Sequence, residues 1–136
     1  MDQGNKQAGN LYEQEFALRC LRQNLFPFLP TGDFLPVDCV VLNPAGKSYR
    51  VQVKGTDCRQ YDVRHDPNGQ KYRYKVVLSR VHPADFDILV VYIATEDVFY
   101  IIPAAYATSS CVAVRPHLKS KSKWEQWRER WDLFMV

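Results

Sequence analysis

No run of eighteen apolar residues occurs anywhere in this 136-residue chain, so it holds no segment long enough to cross a bilayer as a helix. The opening residues, MDQGNKQAGN, are polar and lack the apolar centre of a secretory signal. The four cysteines, Cys20, Cys39, Cys58 and Cys111, are scattered, and no C-x-x-C pair marks a zinc site. Without a signal, reduced thiols are expected rather than disulfides. These absences predict an intracellular protein, cytoplasmic or nucleoid-associated, and neither secreted nor membrane-bound. Internal repeats, low-complexity tracts and domain-dividing linkers are also missing, so residues 1–136 are expected to form a single domain. A chain of this length buries roughly two-thirds of the surface it exposes when unfolded.

What is present is ordinary for a globular chain: 46% hydrophobic and 24% charged residues. The formal charge of +3 is compatible with a polyanionic partner. From about Gln7 to Asn24 the chain reads as a helix that Pro27 and Pro30 forbid from continuing. Val37 to Leu42 is rich in β-branched residues and ends in Asn43-Pro44-Ala45-Gly46, and Ser48 to Lys54 returns, which predicts a hairpin. Tyr72 to Leu78 reads as a further strand. The almost unbroken apolar run from Asp87 to Ile93 predicts a central strand covered on both faces, with Val98 to Ile102 as its neighbour. A further strand is expected at Cys111 to Val114. Ser122-Lys123-Trp124-Glu125 fits a capping box, and Trp124, Trp127, Trp131 and Phe134 follow at helical spacing, which predicts a closing helix.

Four polar residues stand where packing alone would not call for them. Glu15 shares a helix face with Arg19 and Arg22, and Glu15 and Arg19 make an i,i+4 pair on a solvated face. Glu13 differs, because its neighbours at i+3, i+4 and i+7 are Phe16, Ala17 and Cys20, which turn its carboxylate toward the protein. A carboxylate there costs free energy unless it meets a cation or good donors. Asp38 lies in a strand-like run, where aspartate is a poor choice. In Tyr49-Arg50-Val51-Gln52-Val53-Lys54, strand alternation sets Arg50, Gln52 and Lys54 on one face.

The ordered set is a helix glutamate, Pro36-Val37-Asp38, a turn, and Gln52-Val53-Lys54, and it resembles the PD-(D/E)XK nuclease superfamily. Gly9-Asn-Leu-Tyr-Glu13-Gln-Glu-Phe-Ala17 is similar to that family's opening helix, and Asp87 to Tyr92 with Phe99 to Pro103 is similar to a branch holding small group I intron homing endonucleases and bacterial relatives. The similarity spans roughly residues 5 to 107. It departs from the usual pattern at Gln52, which replaces an acid and leaves two carboxylates rather than three. Some members of the branch carry the same Gln-x-Lys variant and are active.

The resemblance implies an α/β restriction-endonuclease-like core: an N-terminal helix, then a β-hairpin, in a mixed sheet flanked by helices. It implies a magnesium-dependent DNA endonuclease, with manganese able to substitute. Asp38, Gln52 and the Val53 backbone carbonyl would lie on the ion, Glu13 would hold a water or a second ion, and Lys54 would orient the attacking water. Double-stranded DNA is the implied partner, and cutting both strands needs two sites, hence a homo-oligomer, dimer or tetramer. Arg50, Arg59, Arg64, Lys71, Arg73 and Lys75, interleaved with tyrosines, are the candidate DNA contacts. The lone histidines His65, His82 and His117 are not assigned catalysis. Alternatives are a silent DNA-binding member of the fold, a Holliday-junction resolvase-like enzyme, and an adaptor using the tryptophan-rich segment as an interface.

Overall fold

The computed structural model describes residues 3–32, 34–61, 71–119 and 121–136. The chain begins with α1 (Gln3–Arg22), which buries Tyr12, Phe16 and Cys20 at i,i+4,i+8 spacing. It continues through β1 (Phe26–Phe28), β2 (Cys39–Leu42) and β3 (Ser48–Thr56), then β4 (Tyr74–Val77), β5 (Ile88–Ile93), β6 (Val98–Pro103) and β7 (Cys111–Val114). Five strands form one sheet in the order β1-β2-β3-β5-β6, while β4 and β7 pair separately as a two-stranded ribbon. All neighbours in the large sheet are antiparallel except β3 and β5. The sheet is therefore mixed, and β2 and β3 make the expected hairpin.

Two apolar layers hold the molecule together. Between α1 and the sheet lie Phe16, Cys39, Val51, Val53, Val90 and Phe99. On the opposite face, Tyr74, Val76, Val112 and Val114 of the ribbon cover Leu89, Val91 and Ile93 of β5. All six residues of β5 are buried, as its apolar run implied. β1 escaped the sequence reading because it contains Pro27. Proline is tolerated there because the strand is short and lies at the sheet edge.

The expected closing helix does not form. Residues Glu125–Trp127 and Trp131–Met135 are two 3-10 turns, separated by Arg128 in extended conformation and Glu129 at φ 51°. The capping box is broken because its acid is engaged elsewhere: Tyr100 Oη donates to Glu125 Oε1 at 2.9 Å, and Arg128 lies 3.6 Å from Oε2. Ser122 Oγ instead accepts from the Trp124 N–H. Helical spacing among the aromatics was misleading, because the chain crosses the outer edge of β6, where Arg128 bridges Tyr100. Trp124 and Trp127 pack on one face of the sheet, Trp131 and Phe134 on the other.

The expected Glu15–Arg19 pair is also replaced. Arg19 reaches Asp97 at 2.7 Å and lies over the Phe99 ring, tying α1 to the β5–β6 turn. All four cysteines are free thiols. No helix is long and apolar enough to cross a membrane among the described residues.

Candidate active site

Between the N-terminal part of α1 and the C-terminal half of β3 runs a cleft of about 440 Å3. Its walls bring together Glu13, Asp38, Gln52, Val53 and Lys54, along with Tyr12, Gly55 and Asp57. All four side chains singled out in the sequence therefore meet in one cavity. A second cavity of about 430 Å3, lined by Phe28, Phe34, Leu35 and Val40 with Arg50 among the lining residues, is apolar and offers no comparable chemistry.

The β2–β3 hairpin aligns Cys39 with Val51 and Val40 with Arg50. Just before Cys39 the ladder gives way. The Asp38 N–H donates to the Val51 carbonyl at 3.0 Å, while the Val53 N–H donates to Asp38 Oδ2 at 2.8 Å. The aspartate side chain thus takes the place of a strand partner. On the other edge of β3, Asp87 and Ala94 N–H groups donate to the Arg50 and Thr56 carbonyls. Backbone groups alternate sides along a strand, so the Val53 carbonyl faces the Asp38 side, where β2 has ended.

Gln52 and Lys54 project from the face of β3 opposite Val51 and Val53, which pack toward α1. Gln52 Oε1 is buried and accepts no hydrogen bond. Such an orphaned acceptor is uncommon in folded proteins and calls for a physical reason. Lys54 has no ion-pair partner among the described residues.

Glu13 comes from α1, one residue beyond Tyr12, whose ring rests on Gly55. A methyl group at Gly55 would lie 2.4 Å from the Tyr12 ring. Tyr12 and Gly55 were not singled out in the sequence, although each adjoins a residue that was. The buried Cys39 thiol is pushed up to about 12, first by burial and then by the negative charges of Asp38 and Glu13, against a Phe28 backbone hydrogen bond that lowers it. Both carboxylates thus act on one sulfur. Burial, with the charges of Asp57 and Cys58, also raises the Tyr12 phenol.

Among the described residues no three His, Cys, Asp or Glu side chains converge as a metal-binding group. The cleft instead offers oxygen donors: the carboxylates of Glu13, Asp38 and Asp57, the Gln52 amide and the Val53 main-chain carbonyl.

The candidate DNA contacts fall elsewhere. Arg50 is drawn into a pair with Asp87, through Nη2 to Oδ1 at 3.2 Å and backbone N–H to Oδ2 at 2.8 Å. Arg59 lies 4.4 Å over the Tyr72 ring and donates to Tyr74 Oη. Arg73 donates to Gln60 Oε1. Lys71 is exposed, and Lys75 is part-buried on β4. Arg64 and His65 lie outside the described residues, and His117 stacks on Tyr72 at 3.8 Å between ring centroids.

A family model described as PD-(D/E)XK endonuclease matches residues 3–134. Among solved structures the chain is similar to a bacterial homing endonuclease, I-Ssp6803I, with 24% sequence identity and a TM-score of 0.71, over 96% of this chain and 92% of that one. That likeness carries the fold, an α/β restriction-endonuclease-like core. Curated proteins include no match.

Proposed function

Because this chain belongs to the PD-(D/E)XK endonuclease family, we propose that it is a magnesium-dependent DNA endonuclease working in the cleft between α1 and β3. The observation that carries this reading is the hydrogen bond from the Val53 N–H to Asp38 Oδ2. It fixes the aspartate against the strand that presents Gln52 and Lys54. The buried, partnerless Gln52 Oε1 supports the same reading, since a hard cation would satisfy it. An all-oxygen donor set suits magnesium, with manganese able to substitute.

The ion, when bound, supplies Lewis acidity and lowers the pKa of the attacking water. Asp38 would bind it directly, beside Gln52 and the Val53 carbonyl. Glu13, from the opposite wall, would hold a water or a second ion. Lys54 would orient the nucleophile and stabilise charge building on the phosphate. Cutting both strands of a duplex needs two such clefts, so the reading includes a homo-oligomer, dimer or tetramer, inside the cell. The missing acid at Gln52 is what favours the alternative of a silent DNA-binding member; a Holliday-junction resolvase-like enzyme differs only in substrate.

The test is digestion of plasmid, single-stranded and four-way-junction DNA with magnesium, by the parent and by Asp38→Ala and Lys54→Ala. We expect nicking by the parent and its loss in both variants. Undiminished cleavage by both sinks the assignment. DNA binding without cleavage by the parent decides for the silent alternative.

A further inference from the structure

Charge is segregated along this chain. It has 15 acids and 18 lysines and arginines, yet residues 71–84 and 98–124 contain no aspartate or glutamate. Those acid-free segments supply both strands of the β4–β7 ribbon. The inner side of the ribbon is Tyr74, Val76, Val112 and Val114, buried over β5. Alternation therefore turns Arg73, Lys75, Ala113 and Arg115 to the outer side. The register pairs Tyr74 with Val114 and Lys75 with Ala113, so Arg115 stands across from Arg73 one step further on. Opposite the small Ala113, Lys75 is half-buried, and Arg115 is exposed. The side chains of Lys75 and Arg115 make no hydrogen bond or ion pair among the described residues, although the Arg115 carbonyl accepts from the Leu118 N–H.

This basic row adjoins the cleft. Cys58 lines the cleft, and Gln60, two residues later, pairs with Arg73 through backbone bonds of 2.7 and 2.9 Å. Two residues span at most about 7 Å of chain. Arg59, between them, is pinned by Tyr72 and Tyr74. The major groove of B-DNA is about 12 Å wide and admits a two-stranded ribbon, whose strands lie about 4.8 Å apart.

We infer that the β4–β7 ribbon is the surface that grips duplex DNA, entering the major groove of a duplex whose phosphodiester lies in the cleft, with Lys75 and Arg115 facing the polyanion. The inference takes its partner from the nuclease reading. Of the candidate contacts named from the sequence it keeps Lys75, places it on a ribbon whose second strand is β7, and adds Arg115.

Binding of a labelled duplex, followed by anisotropy without divalent metal, tests the ribbon apart from cleavage. Lys75→Gln and Arg115→Gln should each weaken binding several-fold and lower the slope of log affinity against log salt by about one. Lys75→Arg should restore both, and Lys47→Gln, at the exposed β2–β3 turn, should change neither. A duplex with bulky groups on pyrimidine C5, which fill the major groove, should bind more weakly. Both Gln variants binding like the parent, a parent that does not bind duplex, or equal binding of the bulky duplex overturns the inference. Intact magnesium-dependent cleavage alongside unaltered binding removes the ribbon and leaves the cleft reading standing. Weakened binding in a protein that cuts nothing does the reverse.

Discussion

Tyr12 and Gly55 are in contact so close that no side chain fits between them: a Cβ at position 55 would sit 2.4 Å from Tyr12 Cδ2. This contact seats the middle of α1 on β3 and thereby sets how far Glu13 stands from the strand bearing Gln52 and Lys54. Gly55→Ala must push Tyr12, and the helix with it, outward. Overpacking of this kind costs about 1–3 kcal/mol. A lower midpoint in urea is expected, with a loss of magnesium-dependent cleavage that persists well below the unfolding transition. Parent-like activity in a folded variant would show that the Tyr12 contact does not set the site.

The acid missing at position 52 can be put back. Gln52→Glu should tighten magnesium or manganese binding, measured by calorimetry, because a carboxylate adds a Coulomb term that an amide lacks. At a partly exposed site this term is a few kcal/mol at contact distance, enough for a gain of tenfold or more. Asp38→Asn should do the opposite. It retains an oxygen for the Val53 N–H, so the fold should survive while metal affinity and cleavage fall, cleavage by roughly 100-fold. Unchanged metal affinity in both variants would rule out an ion between these two residues.

At the other end of β3, burial tends to raise the Asp87 carboxyl, but the hydrogen bonds and charge of Arg50 outweigh it and hold the group below its ordinary value. The native state therefore binds fewer protons here than the unfolded chain. The stabilisation is complete above the ordinary carboxylate range and is lost as pH falls through the lowered value. Because both side chains are about half exposed, the effect is modest, about 0.2–1 kcal/mol, and salt reduces it. Asp87→Asn should flatten the acid limb of a stability-versus-pH curve at low ionic strength and leave the limb above neutral pH unmoved.

Thiol chemistry gives an independent check on burial. Cys39 is fully buried and its thiol is pushed up to about 12, and Cys20 is likewise buried and raised. Cys58 is exposed and Cys111 half-buried. A disulfide reagent at mildly alkaline pH should modify Cys58 first and Cys111 more slowly, with Cys20 and Cys39 reacting only on unfolding. Early labelling of Cys39, read by peptide mapping, would contradict the packing around Asp38.

Much of this arrangement was legible in the residues themselves. The α1 periodicity, the turn after Leu42 and the apolar run of β5 each have one dominant physical cause, and each element appears where its pattern points. Glu13, Asp38, Gln52 and Lys54 stood out because polarity conflicted with local context, and all four reach one cleft. The C-terminal segment was not legible, because its spacing satisfies a helix equally well. What decides against the helix is long-range: Glu129 Oε1 accepts the Phe99 N–H, and the Glu129 N–H donates to the Phe99 carbonyl. Arg50 shares its face with Gln52 and Lys54, and its pairing with Asp87, 37 residues away, was visible in no local pattern.

That tail makes a further prediction. Glu129→Ala removes the acceptor for two donors, one on the backbone of β6, and leaves a non-glycine residue at positive φ. A loss of about 2–6 kcal/mol is expected, at 1–3 kcal/mol for each of the two orphaned groups. Tryptophan fluorescence should report it through Trp131. Glu129→Gln, which retains one oxygen, should cost less. Equal stability of both variants with the parent would mean that the edge crossing is held by packing alone.

Both rims of the five-stranded sheet are thereby closed to newcomers. At one end Pro27 withholds a donor from a strand only three residues long, and at the other the returning tail already occupies β6 through Arg128. Exposed strand borders otherwise invite pairing with a further chain. A second copy is thereby steered away from lengthening the five-stranded sheet.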